Sequence, residues 1–404
     1  MRPNVIINAY ACSPNKGSEP GMGWNWIISI SKFCNIHIIT EGEWKTEIEE
    51  SITDLPQGIN LTFYYLPVSD KIRNMCWNQG DWRFYYYYHK WQKRALKQAE
   101  VICETVSIDI IHQLNMVGYR EPGMLWKIKD IPVVWGPIGG FGGIPTPFLK
   151  SFSNKEAIKQ KIKQAINNIQ VYTPYIQKAI KKSDVLIACN SVAKNKLQHF
   201  RKDKVLVISE AGSLISSNKN TRNYNFETLK ILWIGRNIKS KALSIALETM
   251  TELNDLNIEL NVLGVDKSEA HLPNEETQNV NFHSWIPHEE VQNFFNSSHL
   301  LLFTSLYEAT GTVVLESLAK GVPVICHDTC GQGDIIDSMC GVKVPMKSVD
   351  YSIQTFSKEI RNLYFNKNLI KSLSDGAYAK AKEFQWENKG KLMNDIYFNL
   401  LNKK

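Results

Sequence analysis

The chain has 404 residues, 43% of them hydrophobic and 22% charged, with a formal net charge of +7. That is long enough for two domains of ordinary size and too globular in composition for a disordered or fibrous protein. No run of eighteen apolar residues occurs, and the start of the chain is too short and polar for a signal peptide, so a cytoplasmic protein without a membrane span is expected.

In chain order, short apolar strands alternate with amphipathic helices, the pattern of parallel α/β sheets. Strands are expected at 5–9, 36–40, 61–66, 108–112, 133–135, 185–189 and 205–209. After the first comes Gly17-Ser18-Glu19-Pro20-Gly21-Met22-Gly23-Trp24. Read as a glycine-rich loop entering a helix, with Gly17, Gly21 and Gly23, it is a candidate cradle for an anion or an acceptor. It is neither a G-x-G-x-x-G fingerprint nor a P-loop, which weighs against dehydrogenase and NTPase readings. A turn that needs glycine only for backbone geometry remains open.

Between residues 83 and 97 lie four consecutive tyrosines with Arg83, Lys90, Lys93, Arg94 and Lys97. Phe84, Tyr88, Trp91, Ala95, Ala99 and Ile102 recur at helical spacing and read as a core face. Tyr85, Tyr86 and Tyr87 are left beside the cations, a mixture suited to a bilayer interface. A second lysine-rich stretch runs from 150 to 182. Residues 1–212 carry 27 Lys+Arg against 18 Asp+Glu, residues 213–404 carry 20 against 22. The basic first half favours an anionic partner, here an anionic membrane surface. No nucleic-acid motif accompanies the charge, so no nucleic-acid partner is expected.

His112 closes the fourth strand within Asp109-Ile110-Ile111-His112-Gln113-Leu114-Asn115. A histidine there can be structural or functional, and both roles stay open. Glycines 136, 139, 140, 142 and 143 follow the fifth strand. The polar run 213–228 is the best linker, dividing a first domain of 1–212 from a second of 229–383, with 384–404 as a closing helix.

Strands resume at 231–234, 260–263, 280–283, 300–304, 322–326 and 341–344. The first ends at Gly235-Arg236, with Lys241 following. Ligands bind at the carboxyl ends of such strands. A guanidinium fork and an ammonium charge there can hold a diphosphate. The most informative segment is Glu308-Ala309-Thr310-Gly311-Thr312-Val313-Val314-Leu315-Glu316. A helix begins near Gly311, where unpaired N–H groups carry partial positive charge and glycine admits a phosphate. Glu308 and Glu316 flank it and can read hydroxyls. A ribose, a diphosphate and a sugar fit that order. Gly331, Gly333 and Asp334 follow as a turn. Eight cysteines form no CxxC pair, so zinc is not expected and reduced thiols are.

The Glu308–Glu316 spacing resembles the E-x7-E signature of retaining glycosyltransferases of GT-B fold, glycosyltransferase family 4. Gly235-Arg236 with Lys241 resembles the family's G-R…K-G pattern, with Ala242 where glycine is usual. The 17–24 segment resembles the GSEPGxGW stretch of a bacterial branch. Asp109 to Leu114 resembles D-x-x-H-x-H, with Leu114 in place of the second histidine. The resemblance implies two Rossmann-like domains facing an interdomain cleft, with the last helix crossing back to the first domain.

It also implies a retaining transfer from a UDP- or GDP-sugar to a glycan or lipid-linked saccharide in bacterial surface polysaccharide synthesis. The expected setting is the cytoplasm at the inner face of the membrane. Glu308 would bind the transferred sugar together with His112 or its neighbours Gln113 and Asn115, and Glu316 the ribose. Arg236 and Lys241 would take the diphosphate, and Gly235, Thr310, Gly311 and Thr312 would line the donor site. No Asp-x-Asp motif occurs, so neither metal nor cofactor is expected. Two rivals remain: a non-catalytic GT-B partner subunit, and an epimerase or phosphorylase on the same architecture.

Overall fold

The computed structural model describes residues 2–77, 81–215, 222–270 and 279–402. The chain divides into two units. Unit 1 comprises Met1–Phe141, Ala165–Glu210 and Trp386–Lys404; unit 2 comprises Gly142–Gln164 and Ala211–Gln385.

Unit 1 is built on strands β1 (Asn4–Ala9), β2 (Asn35–Thr40), β3 (Leu61–Tyr65), β4 (Ile110–Asn115), β5 (Val133–Ile138), β6 (Val185–Ala188) and β7 (Leu206–Val207). They form one sheet in the order β3-β2-β1-β4-β5-β6-β7, parallel throughout. Its helices are α1 (Ser18–Ser31), α2 (Lys45–Thr53), α3 (Asp70–Trp77) and α4 (Arg83–Thr105). Helix α5 (Asn154–Gln170) follows, and the chain passes from unit 2 to unit 1 within it. Then come α6 (Pro174–Lys182) and α7 (Ser191–Gln198).

Unit 2 repeats the plan with β8 (Leu229–Ile234), β9 (Ile258–Leu263), β10 (Val280–His283), β11 (Leu300–Phe303), β12 (Val324–His327) and β13 (Gly341–Val344). Their order is β10-β9-β8-β11-β12-β13, again parallel. Helices α8 (Leu243–Thr251), α9 (His288–Ser297), α10 (Thr312–Ala319), α11 (Cys330–Ile335), α12 (Val349–Phe365) and α13 (Lys367–Glu383) cover it. Helix α14 (Trp386–Leu401) returns to unit 1.

The strands are near-continuous apolar runs because a parallel sheet is covered on both faces. In β11 all four residues, Leu300 to Phe303, are buried. One face of the unit 2 sheet packs on α8 and α12 through Leu247, Met250, Phe356 and Ile360; the other packs on α10 and α13 through Leu315, Leu318 and Ala377. In unit 1, the face predicted for α4 is buried in full, with Phe84, Tyr88, Trp91, Ala95, Ala99 and Ile102 inside. Tyr85 and Tyr86 are exposed, and Tyr87 is partly buried against the same core.

Residues 142–164, assigned by sequence to the first domain, belong to unit 2. The reason is apolar burial: Ile144, Phe148 and Leu149 enter the unit 2 core, and the Phe148 ring meets His327 edge-on at 5.5 Å. Of the expected linker, 216–221 lie outside the described residues. Arg222 already packs on unit 2, donating to the carbonyls of Gly321 and Phe295 at 2.8 Å each.

In each sheet the chain builds outward to one side, then returns to start the other. The reversal falls between β1 and β4 in unit 1 and between β8 and β11 in unit 2. At such a switch point the two outgoing loops part and leave a crevice at the carboxyl ends of the strands.

Candidate functional site

The loops leaving β8 and β11 hold the residues singled out in unit 2. After β8, Gly235 N–H donates to Leu263 O at 3.1 Å, extending the ladder by one bond. Arg236 then emerges exposed. The chain makes a 3₁₀ turn at Lys239–Lys241 and reverses at Ala242, whose φ of 49° is left-handed. A side chain pays for that conformation, which gives a physical reason for glycine at the matching position in the resembled pattern.

Lys241 and Glu308 form an ion pair, Nζ to Oε1 at 2.5 Å, with side chains 18% and 20% exposed. The Lys241 ammonium also lies 5.4 Å from the centre of the Phe303 ring. Its backbone is pinned from β11: Trp233 Nε1–H donates to Thr304 Oγ1 at 3.0 Å, and Thr304 Oγ1–H donates to Lys241 O at 2.8 Å. Leu306 N–H donates to Ser240 O at 2.8 Å. The two loops are thus one hydrogen-bonded assembly.

Gly311 takes φ 83° immediately before α10. The Phe303 ring lies beneath it, 3.3 Å from where a Cβ would stand. The first N–H groups of α10, from Thr312 onward, point beyond the helix end, as they must at any helix start. Thr310 is fully buried, Thr312 is exposed, and Glu316 is half-buried in the second turn of α10. The loop is supported from below by α11. A Cβ on Gly331 would lie 2.2 Å from Ala309 O, so only glycine lets that helix approach. Gln332 Nε2–H donates to Ser305 O at 3.1 Å.

Thr304, His327 and Gln332 are supports that sequence reading missed. His327 is buried at the end of β12; its Nδ1 donates to Thr304 O at 3.1 Å and its Nε2 lies 3.0 Å from Ser352 Oγ. Burial pushes its pKa down to about 4, so it works as a neutral hydrogen-bonding strut. Among the described residues no group of three His, Cys, Asp or Glu could hold a metal ion. Gly331, Gly333 and Asp334, expected in a turn, lie in α11.

The candidates in unit 1 require correction. His112 is fully buried in β4. Nε2–H donates to Gly136 O at 2.8 Å, and Nδ1 accepts from the Tyr397 hydroxyl of α14 at 2.6 Å. Burial pushes its pKa down to about 4. Both nitrogens tie β4 to its neighbours, leaving none for a substrate. The glycine loop is not a loop: α1 starts at Ser18, so Gly21 and Gly23 lie inside the helix. Cβ atoms there would stand 2.0 Å from Lys16 O and 2.5 Å from Ala11 O. They are required for close packing, and only Gly17, at the N-cap, stands free of such contacts. Glu19, in the first turn, was passed over. Its Oε1 accepts from Val117 N–H at 3.0 Å, while Oε2 is buried without a hydrogen-bond partner. Burial raises its pKa to about 7, and the nearby Glu210 adds to the rise.

The family match falls on unit 2. Residues 217–380 match the family Glycosyl transferases group 1. Among curated proteins, an uncharacterised 41.2 kDa protein in the cps region of Klebsiella pneumoniae is 25% identical over 191 residues. That match spans 45% of this chain and about half, 53%, of the relative. An uncharacterised glycosyltransferase of Methanocaldococcus jannaschii is 25% identical over 298 residues, 72% of this chain and 76% of its own. Among solved structures, sucrose-phosphate synthase from Thermosynechococcus elongatus superposes with a TM-score of 0.65 at 12% identity, covering 100% of both chains. The crystal structure of WaaG, a glycosyltransferase involved in lipopolysaccharide biosynthesis, does so with 0.56 at 17% identity, covering 97% of this chain and 99% of its own. At those identities the structures speak for the fold: two parallel-sheet Rossmann-like domains of GT-B type.

Proposed function

We propose that the protein is a retaining glycosyltransferase that moves a sugar from a UDP- or GDP-sugar to a glycan or lipid-linked saccharide. The carrying observation is the assembly at the unit 2 switch point. The Lys241–Glu308 ion pair and the N-terminus of α10 share the Phe303 ring, and an exposed Arg236 lies in the loop that carries Lys241, which hydrogen-bonds to the loop after β11. Cations and oriented N–H groups in one place favour a developing anion, here the leaving diphosphate. Glu308, held against Lys241, accepts from hydroxyls of the transferred sugar, and Glu316 accepts from the ribose. Thr310, Thr312 and Gly235 shape the floor.

The acceptor hydroxyl attacks the anomeric carbon on the face from which the diphosphate departs. The bond from that carbon to the phosphate oxygen breaks, and the leaving phosphate takes the acceptor proton. Neither metal nor cofactor is assigned a step. The relative in the cps region and the WaaG fold support surface polysaccharide synthesis as the setting. The basic charge of residues 1–212 supports peripheral contact with an anionic membrane from the cytoplasmic side. Among the described residues no helix is long and apolar enough to cross a membrane.

The test is hydrolysis of a panel of UDP- and GDP-sugars without acceptor, with and without EDTA. Slow release of one nucleoside diphosphate, unaffected by the chelator and lost in Lys241→Ala, is expected. No release from any donor, with no binding of either nucleotide by calorimetry, would overturn the reading.

A further inference from the structure

Helix α5 is turned inside out. At 100° per residue, Ile158, Ile162, Ile166 and Ile169 fall on one narrow stripe. They are 58%, 55%, 50% and 69% exposed, and no residue of the helix is buried. The side that meets the rest of the fold is largely polar. Gln164 Nε2–H donates to Ile144 O at 2.6 Å, and Asn167 O accepts from the Tyr119 hydroxyl at 2.5 Å. Gln170 Oε1 accepts from Arg120 Nε–H at 3.1 Å. Ala157 alone of its apolar residues packs on the core. A helix serving only the fold would place isoleucines inside and glutamines outside.

The stripe is bordered by charge of one sign. Lys159 and Lys163 lie along one side and Lys161 along the other, all exposed, with Lys155 in the first turn and Glu156 the single acid. Such a helix, apolar on one face and lysine-edged, matches an element that lies in a membrane interface. At 17 residues with four lysines it is too short and too charged to span. A second copy is a poor occupant: two such helices would bring eight lysines together against two glutamates. One row of isoleucines also falls far short of the area a stable dimer buries.

We propose that α5 is the docking surface of this protein for an anionic lipid bilayer, with its isoleucines among the acyl chains and its lysines at the phosphates. This rests on the peripheral membrane contact proposed above and assigns it to one element that the tyrosine run of α4 does not include.

The experiment is co-sedimentation of the full chain with vesicles of phosphatidylcholine, alone or mixed with phosphatidylglycerol. Wild type should bind the mixed vesicles and retain part of that binding in high salt. Ile158→Gln, Ile162→Gln and Ile166→Gln together replace exposed side chains with a good helix former. They should abolish the salt-resistant part and weaken partition about tenfold or more. Lys159→Gln, Lys161→Gln and Lys163→Gln together should cost about fivefold per lysine at low salt and erase the preference for anionic lipid. Emission from Ile162→Trp should shift to the blue when vesicles are added. If wild type binds but the isoleucine variant binds equally, α5 is not the docking element, while membrane contact and the transferase reading both stand. If wild type stays in the supernatant, membrane contact falls with it, and nucleotide calorimetry on the same protein reports the donor site separately. A lipid-free dimer that the isoleucine variant dissolves would overturn the proposal in favour of a second copy.

Discussion

At the scale of single residues, Lys241 owes its place to three neighbours: the Glu308 carboxylate, the Phe303 ring and the Thr304 hydroxyl. Removing its charge from a leaving diphosphate should cost about 100-fold in kcat, as loss of one such electrostatic donor commonly does. Lys241→Ala and Arg236→Ala should both show it in steady-state kinetics, and near-normal turnover in a folded variant would refute the assignment. Glu308→Gln should lower turnover more than nucleotide affinity, and Glu316→Gln should do the reverse. Calorimetry with the free nucleoside diphosphate separates the two.

Ala242 offers a cleaner stability test. Its left-handed backbone costs a side-chain-bearing residue about 1 kcal/mol, so Ala242→Gly should raise the denaturation free energy by roughly that amount. A loss of stability instead would show that the turn is not strained. Glu19 makes the pH test. Its pKa is raised to about 7 when folded, against an ordinary carboxylate value near 4.3. The folded state therefore holds the proton more tightly, and the group's contribution is complete below pH ~4 and is lost as pH rises through 7. Glu19→Gln keeps an acceptor for Val117 N–H and adds a donor at the orphaned position. It should stabilise the protein at pH 8 by an amount on the order of 3–4 kcal/mol and hardly change it at pH 4. Denaturation at the two pH values decides, and equal effects would place the raised pKa elsewhere.

At the scale of elements, α10 is short and its first turn is where the proposed donor phosphate would lie. Gly311 sits at φ 83° over the Phe303 ring, so a Cβ would be both strained and crowded. Gly311→Ala should weaken nucleoside diphosphate binding about tenfold or more while α10 remains folded, because the start of the helix would shift away from the phosphate. Unchanged affinity would detach that helix end from the donor. The start of this element was legible in the sequence: the glycine between two glutamates marks where α10 begins, and apolar runs such as Leu300 to Phe303 mark buried parallel strands. Two Rossmann-like units followed from such runs, and the GT-B architecture from the resemblance carried by Glu308 and Glu316. What could not be read were supports that depend on contacts between distant segments. His327 and Thr304 meet across 23 positions, and Gly331 is needed because Ala309 lies above it. For His112 and the 17–24 segment the sequence left a structural and a functional role open, for the opposite reason. A histidine at a strand end and glycines before a helix look like a site until their partners, Gly136, Tyr397, Lys16 and Ala11, fill the space around them. The outward isoleucines of α5 were hidden because helical spacing identifies an apolar face without saying which way it turns.

At the scale of the whole molecule, the two units have separate cores and separate sheets, and the residues proposed for the donor belong to unit 2. A ligand that binds the native state stabilises it by mass action, about 2.7 kcal/mol at a hundredfold its Kd. If the donor binds at the loops after β8 and β11, as proposed, that stabilisation should be read first in the amides of unit 2. Hydrogen exchange with and without saturating UDP or GDP should therefore slow at 235–242, 304–316 and 330–335. The sheet of β1 to β7 should exchange as before wherever its amides open locally rather than by global unfolding. Lys241→Ala should abolish the change without altering the pattern of the unliganded protein. Protection confined to α1 and the loop after β4 would move the nucleotide to unit 1, and with it the assignment of Glu308, Glu316, Arg236 and Lys241.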